Sequence, residues 1–215
     1  MFNRSKNAIF DILDKLTDSV FLSIIFLLFC LPVFTIGASL TALYYTVNKV
    51  QGHNRGYLWQ EFTGSFKENF KKSTLIWIIF LLLAVLLGGD LYYVLRVMPS
   101  SSMGAFLNIF FIVLVALLVI WAGYVFPYIA RFRDTIPVTL KNCALIAILH
   151  APVTLLLLLL LAGGGLLIWM FFPFAVIVPA GVAGWQRDLL EKVFRKYMSE
   201  EDRQTEDFRN GSSHL

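Results

Sequence analysis

The sequence predicts an all-α, polytopic membrane helical bundle. Three observations lead there. Apolar residues make up 58% of the 215-residue chain and formally charged ones only 15%, against about 45–50% and about 25% in ordinary soluble domains. Four stretches, residues 19–48, 73–89, 97–130 and 142–186, carry no formal charge, and about 20 apolar residues suffice for a helix to cross about 30 Å of hydrocarbon. The basic residues fall between those stretches rather than within them, as the inner loops of membrane proteins require. The chain is predicted to form one membrane-embedded domain over residues 1–198, followed by a polar, disordered tail at 199–215.

Taken in order, the first 18 residues mix Arg4, Lys6 and Lys15 with Asp11, Asp14 and Asp18. A secretion signal starts short and basic, so this one reads as part of the chain. The first uncharged stretch is 30 residues long, generous for one span and short for two. Its midpoint holds Pro32 and Gly37. Proline removes a backbone donor and disfavours helix in the residue before it, and Thr35 is placed to cap a new helix. The stretch reads as segments 19–31 and 37–50 joined in a broken hairpin, or as one kinked span. The first reading gives six membrane segments and the second five. A turn at membrane depth must be buried in protein, because lipid satisfies no free peptide group.

Residues 58–71 read as an interfacial amphipathic helix. Trp59, Phe62, Phe66 and Phe70 fall at i, i+3, i+7 and i+11, on one face, with Glu61, Lys67, Glu68 and Lys71 largely elsewhere. That face is a structural connector or a docking surface for a partner. Spans at 74–97 and 105–128 follow. The fourth uncharged stretch holds two more, 143–161 and 166–185, with Gly163, Gly164 and Gly165 as the turn between them. Pro127, Pro173 and Pro179 predict kinks that shape the bundle, or irregular backbone lining a cavity.

Charge placement orients the bundle. Of 18 Lys and Arg, 14 lie on one side of these spans, and a hairpin at Pro32 adds the three at the N-terminus. The positive-inside rule makes that side cytoplasmic. The C-terminus is expected there and, with the hairpin, the N-terminus too. The net charge of +4 then reports topology and attraction to anionic lipid rather than nucleic-acid binding.

Groups that carry chemistry are few. Asp90 is the only acid inside a span, near its outer end, and Tyr92 and Tyr93 follow it as in an interfacial belt. It reads as a solvated interfacial acid, or as a substrate or proton site. His150 lies deeper and precedes Pro152. It reads as hydrogen-bonding the backbone that the proline frees, or as a polar intramembrane site. Cys30 and Cys143 lie in or beside apolar runs and give neither a disulfide framework nor a metal site. The sequence has no phosphate loop, no His-Glu-x-x-His, no nucleophile elbow and no paired acids within its spans. No catalytic residue, cofactor or metal is expected, and the chain is not expected to be an enzyme.

Three stretches resemble motifs of the YesL-like family of bacterial integral membrane proteins. Residues 31–45, with Pro32, Thr35, Gly37, Thr41 and Tyr44, resemble the first. Residues 62–71, with Asn69, resemble the second. Residues 124–132 and 140–145, with Pro127, Arg131 and Asn142, resemble the third, although Cys143 stands where a small residue is usual. The resemblance extends over about residues 10–195. It implies a multi-span protein of a bacterial plasma membrane, of a kind often encoded beside carbohydrate uptake genes and without an established biochemical function. Its expected partners are the lipid bilayer and sugar transporter subunits, with an accessory role; a small permease or channel is the alternative. The sequence fixes no oligomeric state.

Overall fold

A computed structural model describes residues 2–52, 56–97 and 102–198, with side chains from residue 15 onward except at 102. These residues form seven α-helices: α1 (Phe2–Cys30), α2 (Ile36–Thr46), α3 (Leu58–Val97), α4 (Ser102–Arg131), α5 (Ile136–Leu149), α6 (Ala151–Met170) and α7 (Val178–Phe194). A 3-10 turn at Val33–Thr35 joins α1 to α2, a π-turn at Val47–Gln51 extends α2, and a 3-10 turn at Phe172–Val176 precedes α7. The predicted tail at 199–215 and residues 98–101 of the serine loop lie outside the described residues.

Three helices are long and apolar enough to cross a membrane: Leu58–Val97, Met103–Arg131 and Ala151–Met170. Leu82, Val85, Leu86, Ile109, Phe110 and Leu159 stand exposed along them. Such rows of bare apolar side chains suit a lipid solvent and would be a liability in water. This is a helical membrane protein.

The α1–α2 hairpin forms around Pro32 as the broken stretch predicts. Its second leg is not a lipid-facing span. The 11 residues of α2 extend about 16 Å, roughly half the hydrocarbon thickness. Gly37, Ala38, Ser39, Thr41, Ala42, Leu43, Tyr44 and Thr46 are all buried. α2 is a core helix wrapped in protein. Tyr44 reaches a cluster with Ile76, Phe80, Tyr124, Phe126 and Phe194. On its other sides Ala42 and Leu43, with Val47 just beyond, join Leu22, Ile25, Phe62 and Ala183.

The hairpin turn answers the demand that its carbonyls be satisfied. Thr35 does not cap α2: no hydrogen bond runs from its side chain to the helix N-terminus. Its hydroxyl instead turns back, 2.5 Å from the Phe29 carbonyl and 2.6 Å from the Pro32 carbonyl. The Trp77 indole donates to the Val33 carbonyl at 2.7 Å. The Pro32 carbonyl also accepts the Thr35 backbone N–H at 2.9 Å, so the turn's carbonyls are met by its own backbone and by side chains.

Residues 58–71 and 74–97 are one helix of 40 residues, not an interfacial helix followed by a span. Nothing between Lys71 and Thr74 breaks a helix, and lysine favours one. α3 then runs against α4. Phe80 meets Trp121 with ring centroids 5.3 Å apart, and Trp77 meets Phe126 at 6.1 Å. α4 continues through Pro127 to Arg131.

The fourth uncharged stretch is divided differently from expectation. Gly163, Gly164 and Gly165 lie inside α6, not in a turn. Gly164 is there for packing, since a Cβ would stand 2.7 Å from Val182 Cγ2. The chain turns instead at residues 171–177 around Pro173, where a ring without an N–H ends the helix. A second break falls at His150, whose φ of −115° and ψ of 48° leave the helical region. The Thr154 hydroxyl donates to the Ala147 carbonyl at 2.7 Å. Seven residues of straight helix span about 10 Å, so the chain bends sharply here. Pro152 starts the new helix in the first-turn position that proline favours. The expected spans 143–161 and 166–185 thus become α5, α6 and α7.

Candidate functional site: a charged junction at the basic end of the bundle

Ion pairs and side-chain hydrogen bonds gather at the end of the bundle where the basic residues lie. The best enclosed of these groups centres on Glu191 of α7. The Tyr44 hydroxyl of α2 donates to Glu191 Oε1 at 3.2 Å, and Asn48 Nδ2 of the π-turn donates to the same oxygen at 3.1 Å. Arg131 Nη2, at the end of α4, lies 3.2 Å from Oε2. The side chains of Arg131 and Glu191 keep only 13% and 21% of their exposure, and Tyr44 is buried. Taking a carboxylate out of water is costly unless it is paired and hydrogen-bonded. Here both oxygens are engaged, by two parts of the chain far apart in sequence: α2 with its π-turn, and the end of α4.

Two neighbouring groups extend this junction. Tyr128 donates to Asp134 Oδ2 at 2.6 Å and accepts from Asn142 Nδ2 at 2.9 Å, while Lys72 Nζ donates to the Asp134 carbonyl at 2.6 Å. Arg133 pairs with Glu68. Together they tie α3, the α4–α5 loop and α5. On the other side Lys49 Nζ lies 2.7 Å from Glu61 Oε2 and 3.3 Å from the Tyr45 hydroxyl. Burial alone would lower the Lys49 ammonium, but its bonds to Glu61 and Tyr45 outweigh that and hold it above the ordinary lysine value. Gln51 Nε2 donates to Ser19 Oγ at 3.1 Å, joining α1 to the π-turn.

The residues singled out by motif divide among these groups. Pro32, Thr35, Gly37, Thr41 and Tyr44 lie on the hairpin and α2. Gly37 lies where α2 closes on α3, and Thr41 meets Ser73 Oγ at 3.0 Å across the same contact. Tyr44 and Arg131 meet on Glu191, and Asn142 enters the Tyr128–Asp134 group. Pro127 lies one turn before Arg131 in α4. Asn69 bonds within α3, to the Ser65 carbonyl at 3.1 Å.

The aromatic face of α3 is turned toward α1 rather than outward. Phe29 packs edge-on against Phe62 at 5.3 Å, Phe66 at 4.8 Å and Trp59 at 6.2 Å. Phe62 is fully buried, Phe66 and Phe70 are half-buried, and Trp59 is exposed. Asp90 and His150 are not brought together. Asp90 is exposed on α3 and lines a groove of about 520 Å³ between α3, α4 and α5, whose other walls are apolar. His150 is not on that groove. Its Nδ1 lies 3.3 Å from the Ile146 carbonyl and its ring meets Tyr197 edge-on at 5.8 Å.

Sequence reasoning missed Glu191, Asn48, Asp134 and Tyr128. Arg187, Glu191 and Phe194 fall at i, i+4 and i+7 on α7. That spacing places an acid on the same stripe as a core aromatic, which was the available signal for Glu191. Among the described residues no group of three or more His, Cys, Asp or Glu is arranged to hold a metal ion. Cys143 is buried, Cys30 is half-buried, and both are free thiols. Chemically, the junction is a set of paired charges that clamps helices.

Comparison with known proteins adds one match. The family described as "Protein of unknown function, DUF624" matches residues 20–91. That stretch holds the hairpin, α2 and α3 as far as Asp90 and Leu91, and ends before Arg131, Asn142 and Glu191. No curated protein and no solved structure matches the chain.

Proposed function

We propose that the chain is a non-enzymatic membrane protein of the YesL-like kind, accessory to a carbohydrate uptake system in a bacterial plasma membrane. The observation that carries this reading is the Glu191 junction. Tyr44, Asn48 and Arg131 converge on one carboxylate, so charged groups serve to fix a rigid bundle end. Such an end suits a platform that another protein rests on. The carbohydrate system itself comes from the motif resemblance. Trp59, half exposed at the start of α3 beside a buried aromatic cluster, is the anchor proposed for the partner, since exposed aromatics dominate interface energetics.

The test is affinity purification from native membranes in mild detergent. The unaltered chain should bring down transporter subunits, and Trp59→Ser should weaken that capture. Absence of any transporter subunit with the unaltered chain would remove the reading. A second reading, a small permease, is favoured by Asp90 in its groove. It predicts solute flux in liposomes that Asp90→Asn alters.

A further inference from the structure

The groove between α3, α4 and α5 is shaped as an amphiphile site. Its volume of about 520 Å³ lies within the roughly 300–1,000 Å³ of small-molecule pockets. Leu83 and Leu86 line it from α3, Leu117 and Trp121 from α4, and Ala147 from α5. Asp90 is the one ionisable group on its walls. None of the described residues pairs with Asp90.

Depth gives the groove a direction. Asp90 lies 17 residues past Ser73, where the uncharged part of α3 begins, or about 25 Å along the helix. That places the carboxylate near the far edge of about 30 Å of hydrocarbon, at headgroup level. Leu86 and Leu83 lead from it toward the middle of the bilayer. Because Phe80 meets Trp121 across the antiparallel pair, Trp121 marks the deep end.

We propose that this groove binds one phospholipid with a primary-ammonium headgroup. The ammonium sits on Asp90 and an acyl chain runs along Leu86 and Leu83 to Trp121. A lone carboxylate on an apolar wall repels an anionic headgroup. An ammonium brings a compensating charge and three donors, and a trimethylammonium brings the charge without a donor. The inference is independent of any protein partner.

Native mass spectrometry of the detergent-solubilised full chain tests it. The probes are phosphatidylethanolamine, phosphatidylcholine and phosphatidylglycerol with identical acyl chains. Phosphatidylethanolamine should bind about tenfold more tightly than the other two, the worth of one charge-assisted hydrogen bond. Asp90→Asn should level the three, Asp90→Glu should keep the preference, and Leu86→Trp should weaken all of them by filling the groove. In a second readout, phosphatidylethanolamine brominated on its acyl chain should quench a tryptophan signal that Trp121→Phe removes. Equal binding of the three lipids by the unaltered chain would mean ordinary boundary lipid and overturn the proposal. So would a preference for phosphatidylglycerol, or a preference that survives Asp90→Asn.

Discussion

At Gly37 any other residue would place a Cβ 2.6 Å from Trp77 Cβ, 2.7 Å from the Ser73 carbonyl and 2.9 Å from Phe126 Cε1. Two of those atoms cannot swing away, because one is backbone and the other is fixed to it. Gly37→Ala must therefore push α2 off α3, an overpacking cost of about 1–3 kcal/mol. It should lower the thermal midpoint in detergent and loosen the Thr41–Ser73 contact. Glu191 poses the opposite case, a group whose loss takes away the carboxylate that Arg131, Tyr44 and Asn48 share. Glu191→Leu leaves Arg131 nearly buried without its carboxylate. Breaking such a pair costs about 3 kcal/mol, at the low end because both side chains keep some exposure. Adding Arg131→Met should recover part of that loss, since an apolar pair of similar volume removes the charge that faced Glu191, while the bonds from Tyr44 and Asn48 to Glu191 stay lost. A thermal-shift series over the two single variants and the double one checks this. A double variant no more stable than Glu191→Leu alone would show that the pair is not what holds α4 to α7.

At the scale of elements, much was legible because apolar patterning and proline report local physics. The uncharged stretches located the apolar part of α3 and α4, and Pro32 located the hairpin. The sequence did not show that α2 is a buried core helix, because burial by protein and burial by lipid select the same apolar residues. It also misplaced the turn in the last uncharged stretch. Three successive glycines look like a turn when only conformational freedom is weighed, yet in α6 their flanking leucines keep the helix going. The junction was half legible. Tyr44 and Arg131 stood out by motif, but Glu191 is set by how α7 crosses α2 and α4, a tertiary fact. The glycine finding is testable. A Cβ at Gly163 or Gly165 meets nothing within 4 Å, whereas at Gly164 it meets Val182. Alanine is favoured over glycine inside a helix by about 1 kcal/mol. Gly163→Ala and Gly165→Ala should therefore leave the thermal midpoint unchanged or raise it. Gly164→Ala should be the least favourable of the three. A fall at Gly163 and Gly165 would mean that the chain turns there after all.

For the molecule as a whole, joining one hydrogen bond to the charge pattern predicts the side of the membrane each end occupies. Gln51 donates to Ser19 Oγ at 3.1 Å, so residue 19 at the start of the hairpin lies beside residue 51 at its end. Residue 51 leads into the basic end, where Lys49, Lys72, Arg131 and Arg133 make their contacts. The hairpin therefore returns to the end from which it started. With both legs at one end, the hairpin reading predicts that the three N-terminal basic residues share a side with the 14 others, 17 of the 18 Lys and Arg. The positive-inside rule then predicts that this side is cytoplasmic. A cysteine introduced at Asn3 should react with a membrane-impermeant maleimide only after the cells are opened. One introduced at Ser213 should behave the same way. The background set by Cys30 and Cys143 is measured on the unaltered chain. If the Asn3 cysteine reacted in intact cells while the Ser213 cysteine did not, the first stretch would be a single crossing and the hairpin reading would fail.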